Sequence, residues 1–193
     1  MKYSKFNEFL IEIKKNNLRC AIWKNIYDLI DKGIYNTDLD FYVYHKDRKK
    51  FLKILSKYIT IFAGYEHNIF PEIKHYFFWD ENRFKFIHLN IYYHLYTGHT
   101  WVKEYELKLP KSIFEFKSQI SVDNVSIPIL SNSHLKQLNE FRIFLKKKGL
   151  FNLIYFNHDK NSYQNEIKYF KNISVNKNNY LEILKDRKIL KEI

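Results

Sequence analysis

Two aspartates, Asp38 and Asp40, lie in the stretch NTDLDFYV, and their acidic side chains and spacing suit metal-dependent catalysis. Residues two apart in a β-strand point to the same face, so the two carboxylates are expected to project side by side. Adjacent carboxylates repel each other unless a cation lies between them, and hard oxygen ligands suit Mg²⁺ or Mn²⁺. The pair therefore predicts a divalent metal site near solvent at the start of a strand, with Leu39 and Phe41 facing the core.

The elements around this pair are expected to alternate between helix and strand. Phe6, Phe9, Leu10 and Ile13 recur at helical spacing, and LRCAIW is short and apolar enough for a buried strand. The predicted order is a helix at 3–16, a strand at 18–23, a loop with one helical turn at 24–37, a strand at 38–44, and a helix at 48–58 capped by Asp47.

The spacing of hydrophobic residues changes in the second half of the chain. Two hairpins are predicted, one turning at Asp80-Glu81-Asn82 and one at Asp123-Asn124. Helices are predicted after them: one from a Ser131 or Ser133 cap to Lys148 with Gly149 as its stop, then two more at 161–171 and 178–191. The fold class is thus α+β (mixed α/β), with an α/β core at 1–130 and a helical region at 131–193 packed on it.

Composition excludes several classes of protein. The chain has 193 residues, 46% of them hydrophobic, and a lone cysteine, Cys20, so intrinsic disorder, a disulfide framework and a cysteine-based zinc site are not expected. It has no apolar run long enough to span a membrane, and its N-terminus is charged throughout, which favours the cytoplasm. It carries no signal for an oligomeric state.

The net charge of +12 is unevenly spread, since residues 136–193 hold 13 basic and 6 acidic groups. A basic tail can attract phosphates or nucleic acid, while a solvated helical surface or a lysine-rich coding bias explains it without a partner. The aromatic side chains, Trp79 and Trp101 among them, could likewise stack on bases, although aromatics also fill cores and sheet faces.

The motifs resemble a known superfamily. AIWKN followed by NTDLDFYV is similar to the LRN…DIDLLV pattern of small polymerase-β-like nucleotidyltransferases, many of them linked to bacterial surface polysaccharide. FKFIHLNIYYHLYTG, residues 84–98, resembles their HLDLYTHL strand, and residues 127–149 resemble a later segment that enters a helix. The resemblance covers roughly residues 5–150, and it implies a nucleotidyltransferase-like mixed sheet flanked by helices.

Carried over by position, the resemblance implies roles for five residues on the nucleotide side of the site. Asp38 and Asp40 become the catalytic carboxylates that bind Mg²⁺ or Mn²⁺. Lys24 and Asn25 fall on the turn that meets the nucleotide phosphates, and Thr37 takes the small hydroxyl position before the first aspartate. The Gly-Ser signature of the wider superfamily is replaced here by Trp-Lys-Asn.

The acceptor side departs further from the pattern. The third catalytic carboxylate is expected within HLNIYY, where this chain has Asn90, and His88 and Tyr92 share its strand face. An asparagine can offer a carbonyl oxygen to a metal, but it carries no charge and is no base. Either a substitute such as His88 activates the acceptor, or catalysis is lost and ligand binding remains.

Three functions follow from these observations. The first is metal-dependent transfer of a nucleoside monophosphate from a nucleoside triphosphate (NTP) to a small hydroxyl or phosphorylated acceptor, by resemblance a sugar or polyol phosphate for surface glycan. The second is a catalytically silent relative that binds a nucleotide or a partner. The third is a nucleic-acid-binding module that uses the basic C-terminal helices.

Overall fold

A computed structural model of the chain describes residues 4–62, 73–97, 105–107, 109, 111–115, 117–148, 164–171 and 190–192. The chain divides into two units, Met1–Tyr93 with Gln119–Ile129, and His94–Ser118 with Leu130–Ile193. Helices accompany a mixed sheet in the first unit and a small antiparallel sheet in the second, which confirms the predicted α+β class. The predicted division between residues 130 and 131 stays a prediction.

Helices and strands alternate in the first part of the chain. The helices are α1 (Lys5–Lys15), α2 (Ile26–Lys32), α3 (Arg48–Leu55), α4 (Asn132–Lys148) and α5 (164–171), with 3₁₀ turns at His45–Asp47 and Lys111–Phe114. The strands are β1 (Cys20–Ile22), β2 (Leu39–Val43), β3 (Ile61–Phe62), β4 (Ile73–Asp80), β5 (Lys85–Tyr92), β6 (Leu95–Thr97), β7 (Tyr105–Leu107), β8 (Ser118–Val122), β9 (Val125–Ile129) and β10 (Leu190–Glu192).

The larger sheet has the strand order β3-β4-β5-β2-β1-β9-β8. Its central strand, β2, runs parallel to β5 and antiparallel to β1. Both predicted hairpins are confirmed, as β4–β5 and β8–β9. Asp123 and Asn124 have φ values of +52° and +63°, which a two-residue type I′ turn requires. The β4–β5 turn is longer than predicted, because it spans residues 81–84 and Asp80 pairs with Lys85.

One face of this sheet is covered by α1, where the predicted helical spacing is confirmed. Ser4 caps the helix by accepting a hydrogen bond from the Asn7 backbone N–H at 3.3 Å. The Phe6 and Phe9 rings lie 5.4 and 5.1 Å from the Phe78 ring of β4, and all three side chains are buried. This apolar layer leaves the other face of β2, β5 and β4 to carry polar side chains.

The segment before β2 is more helical than predicted. The two-turn helix α2 stands where a loop with a single helical turn was expected. Ile26 and Leu29 are buried at helical spacing, and Lys32 pairs with Asp28 one turn away at 2.9 Å. Gly33 ends the helix at φ +78°, a conformation that favours glycine.

Asp47 precedes α3 as predicted, but its side chain makes no capping hydrogen bond. Its carboxylate accepts hydrogen bonds from the Arg19 backbone N–H at 3.0 Å and from Arg19 Nε at 2.7 Å, with a further contact to Nη2. These bonds to Arg19 hold the pKa of Asp47 below its usual range. The residue therefore ties the start of α3 to the segment before β1 instead of capping the helix.

Asp47→Asn is expected to lower the free energy of unfolding at pH 7 by about 2 kcal/mol, the typical value of a hydrogen bond to a charged group. A carboxyl whose pKa is depressed on folding stabilises above its unfolded pKa of about 3.9 and loses that contribution as the pH falls further. The difference between wild type and variant should therefore shrink below about pH 4. Urea titrations from pH 3 to 8, with exposed Asp31→Asn as the control, test this; a gap constant with pH would contradict it.

In the second unit, α4 begins as predicted at a Ser131 cap, whose Oγ accepts a hydrogen bond from the His134 backbone N–H at 3.3 Å. The small sheet has the order β10-β7-β6. The prediction of a helix at 178–191 is wrong at its end, because Leu190 and Lys191 pair with β7 as a strand. Gly149 and the rest of that segment lie outside the described residues. Within the described ranges, no helix is long and apolar enough to cross a membrane.

Candidate functional site

The acidic pair lies where β2 begins, next to the strand that carries Asn90. Asp38 precedes β2, Asp40 is its second residue, and Asp40 pairs directly with Asn90 across the parallel β2–β5 ladder. Leu39 and Phe41 are fully buried on the opposite face, as the alternation predicted. The structure thus brings together the two carboxylates and the amide that were expected to form one site.

The two carboxylates differ in exposure. The Asp38 side chain is 54% exposed, whereas that of Asp40 is 1% exposed. The expectation that both lie near solvent is therefore correct for Asp38 and wrong for Asp40. The reason is that β2 lies between β1 and β5, so that Lys24 and Asn25, which follow β1, and Asn90 of β5 all contact the Asp40 carboxylate.

The charge of Asp40 is compensated by three donors from two segments of the chain. Lys24 Nζ lies 3.1 Å from Asp40 Oδ1, and Asn25 Nδ2 donates a 2.7 Å hydrogen bond to Oδ2. Asn90 Nδ2 donates to Oδ1 at 3.2 Å. Lys24 also donates to the hydroxyl of buried Tyr92 at 2.9 Å. Burial, followed by the charge of Asp40, raises the pKa of Tyr92, so this hydroxyl stays protonated at neutral pH.

Asp38 faces a histidine. His88 Nδ1 lies 2.7 Å from Asp38 Oδ1, and Asn90 Nδ2 lies 3.5 Å from Asp38 Oδ2. The hydrogen bond with His88 is the main reason that the pKa of Asp38 is lowered. Asp38 is therefore an ionised carboxylate, open to solvent and held in place from the β5 side.

A second histidine, His75, belongs to the site and was missed by sequence reasoning. It pairs with Asn90 across β4 and β5, and its Nδ1 lies 3.1 Å from His88 Nε2. The sequence signal that could have revealed His75 was the β4–β5 hairpin. However, the predicted turn at 80–82 would have placed His75 opposite Ile87. The observed four-residue turn moves the register and brings the two rings together.

The Asp38 carboxylate fixes the position of one proton on the two histidines. A carboxylate only accepts, so His88 Nδ1 donates to Asp38, and the contact between His88 Nε2 and His75 Nδ1 needs one more proton, carried by either ring. Burial, and then the neighbouring His88, lower the pKa of His75, although the Asn90 side chain acts in the opposite direction. Both ring nitrogens of His88 are thus engaged, and His75 is the outer ring of the chain Asp38–His88–His75.

Thr37 stands apart from this cluster. It is half-buried beside Asp38, and no hydrogen bond links it to the site residues described above. Its predicted role toward the nucleotide stays a prediction, as do the roles of the other site residues.

Comparisons with known proteins add one likeness. No family model and no curated protein matches this chain. A solved structure of a putative nucleotidyltransferase from Thermotoga maritima is similar at 11% identity and a TM-score of 0.38, covering 83% of this chain and 91% of that one. A TM-score of that size does not establish a common fold.

The oxygen atoms around Asn90 fit a hard cation. Among the described residues there is no cluster of three or more histidine, cysteine, aspartate or glutamate side chains suited to a metal. Asn90 Oδ1, however, is buried with no hydrogen-bond partner among the described residues, while Nδ2 faces both carboxylates. Exchanging the amide oxygen and nitrogen would turn three oxygens toward one point, the donor type that Mg²⁺ prefers. Lys24 would have to release Asp40 Oδ1.

Proposed function

We propose that this chain binds a nucleoside triphosphate with Mg²⁺ or Mn²⁺ and transfers its nucleoside monophosphate to a small acceptor. The observation that carries the proposal is the convergence of Asp38, Asp40 and Asn90, with Asn90 Nδ2 3.5 and 3.2 Å from the two carboxylates. The resemblance of residues 21–43 and 84–98 to small nucleotidyltransferases points to the same chemistry.

In this proposal Asp38, Asp40 and the Asn90 amide oxygen hold the cation, which would neutralise charge on the phosphates when bound. Lys24, released from Asp40, and Asn25 beside it would position the triphosphate. The acceptor oxygen would form a bond to the α-phosphorus while the bond from that phosphorus to the pyrophosphate oxygen breaks. The acceptor proton would pass to the His75–His88 pair or to solvent.

The acceptor is proposed to lie on the His88 side of the site, since Lys24 and Asn25 occupy the other side of Asp40. The resemblance supports a sugar or polyol phosphate used in surface-glycan synthesis as that acceptor. The nucleic-acid alternative rests on residues 136–193, of which the structure describes 136–148, 164–171 and 190–192.

A second candidate function is favoured by Asn90 and Lys24. An amide occupies the position where the resemblance implies a third carboxylate, and an ammonium group already neutralises Asp40 at 3.1 Å. This is the arrangement expected of a catalytically silent protein that binds a nucleotide without transferring it. The two candidates share the binding step and differ in pyrophosphate release.

Calorimetry with each of the four ribonucleoside triphosphates, with and without Mg²⁺, tests the shared step. We expect the double variant Asp38→Asn, Asp40→Asn to bind about a hundredfold more weakly in Mg²⁺, because it loses two charged contacts of about 1.5 kcal/mol or more each. Asp28→Asn, which changes a surface carboxylate of α2, is the matched control. Unchanged Mg²⁺-dependent affinity in a folded double variant would refute the assignment of these residues.

A further inference from the structure

A row of aromatic side chains leads away from the carboxylates along one face of the β4–β5 hairpin. This aromatic row consists of Phe77 and Trp79 on β4, Phe84 at the end of the turn and Phe86 on β5. The Trp79 ring lies 4.8 Å from Phe86 and 6.2 Å from Phe84, and Phe77 lies 6.3 Å from Phe86. These rings are continuous with one another, and those of Phe77, Trp79 and Phe86 lie on the sheet face opposite buried Phe78.

The aromatic row is open to solvent where the other face of the hairpin is covered. Phe86 is 43% exposed and Phe84 is 78% exposed, whereas Phe78 is 1% exposed beneath α1. Contiguous exposed apolar side chains commonly mark binding surfaces in soluble domains. The row has the character of a stacking platform, because every nucleobase has a flat face that aromatic side chains bind.

His88 joins this platform to the proposed reaction site. Its ring stacks on Phe77 at 4.5 Å with an interplanar angle of 7°, while its Nδ1 contacts Asp38 at 2.7 Å. Phe86 is two residues from His88, which is roughly 7 Å along a strand. A ligand held there needs a flat apolar ring at one end and a polar arm that reaches the carboxylates at the other.

We propose that the aromatic row is a nucleobase subsite that holds the acceptor, so that the acceptor is itself a nucleoside or its phosphate and not the sugar or polyol phosphate that the resemblance implies. The row carries one polar group, the Trp79 indole N–H, and a sugar ring would need several hydrogen-bonding partners for its hydroxyls. The row lies on the His88 side of Asp40, away from Lys24, which separates it from the proposed triphosphate. Its role as an acceptor subsite rests on the proposed function, whereas its affinity for a base does not.

Titrations with adenosine, guanosine, cytidine and uridine, without metal, test the subsite by saturation-transfer NMR on the full chain. We expect at least one nucleoside to bind, and Phe86→Leu to weaken that binding roughly fivefold or more. Phe86→Tyr keeps a ring and should retain the affinity. Phe62→Leu is the matched control, because Phe62 is 46% exposed and its ring packs on Tyr76, outside the row.

Tripolyphosphate with Mg²⁺, measured on the same variants, separates this inference from the proposed function. If tripolyphosphate binds and no nucleoside does, or if Phe86→Leu leaves nucleoside binding intact, the subsite is refuted and the metal–phosphate site stands. If nucleosides bind through Phe86 and tripolyphosphate does not, the subsite stands and the proposed function fails. Binding of glucose in place of nucleosides would also refute the subsite. So would binding of single-stranded nucleic acid that does not depend on Phe86.

Discussion

Lys24→Met is expected to lower the free energy of unfolding by about 3–5 kcal/mol, the usual cost of removing one partner from a buried ion pair. The variant leaves the carboxylate of Asp40, 1% exposed, without the ammonium group that lies 3.1 Å from it. It also removes the donor to the Tyr92 hydroxyl, a hydrogen bond of 2.9 Å. Urea denaturation at pH 7 measures the loss.

Two further variants attribute that loss to the buried charge. Lys24→Met combined with Asp40→Asn should recover a large part of the stability, because no uncompensated carboxylate remains. Lys32→Met removes an exposed lysine that pairs with Asp28, and it should cost about 0.5 kcal/mol or less. Equal losses for the Lys24 and Lys32 variants would contradict the assignment of Lys24 as the internal counterion.

Lys24→Met also bears on metal binding, since Lys24 and a cation would share Asp40 Oδ1. If the proposed metal site is correct, the variant should bind Mn²⁺ more tightly than wild type, as electron paramagnetic resonance can measure. Weaker Mn²⁺ binding in the folded variant would speak against competition between the two cations.

Asn90→Asp is expected to destabilise the protein by about 3 kcal/mol or more without metal and to make its stability depend on Mn²⁺. The new carboxylate would lie where Asn90 Nδ2 is now 3.2 Å from Asp40 Oδ1 and 3.5 Å from Asp38 Oδ2. The thermal midpoint should fall by about 6–12 °C. Mn²⁺ at a hundred times its dissociation constant should restore about 2.7 kcal/mol.

Asn90→Leu is the matched control, because it removes the amide donors without adding a charge and should not respond to Mn²⁺. Pyrophosphate release from each triphosphate then separates the two candidate functions. Release by wild type supports the transferase, whereas release by Asn90→Asp alone supports the silent relative. An Asn90→Asp protein that is as stable as wild type and indifferent to Mn²⁺ would refute the placement of a cation here.

Much of the local structure was predictable from the sequence. The spacing of Phe6, Phe9 and Leu10 predicted α1, and the apolar alternation around Asp38 and Asp40 predicted a strand with both carboxylates on one face. These features depend on neighbours a few residues apart, so the period of the hydrophobic pattern is sufficient to find them. The α+β class followed from the order of such elements.

Contacts between distant segments were decided by the tertiary structure. Asp47 had the type and position of a helix cap, yet Arg19, 28 residues earlier, takes its carboxylate. A charged, bidentate partner binds a carboxylate more strongly than a single backbone N–H does. A capping pattern read locally cannot show that such a partner arrives from another segment.

The residues of the site show the same difference between what the local sequence predicts and what tertiary contacts decide. The resemblance to small nucleotidyltransferases implied that Asn90 stands where a third catalytic carboxylate would meet Asp38 and Asp40. The burial of Asp40 under Lys24 depends on the antiparallel pairing of β1 with β2, which sets Ile22 opposite Phe41. The place of His75 depends on a four-residue turn that shifts the β4–β5 register. Sequence pattern determined which side chains share a face, and strand register, which only folding sets, decided which of them touch.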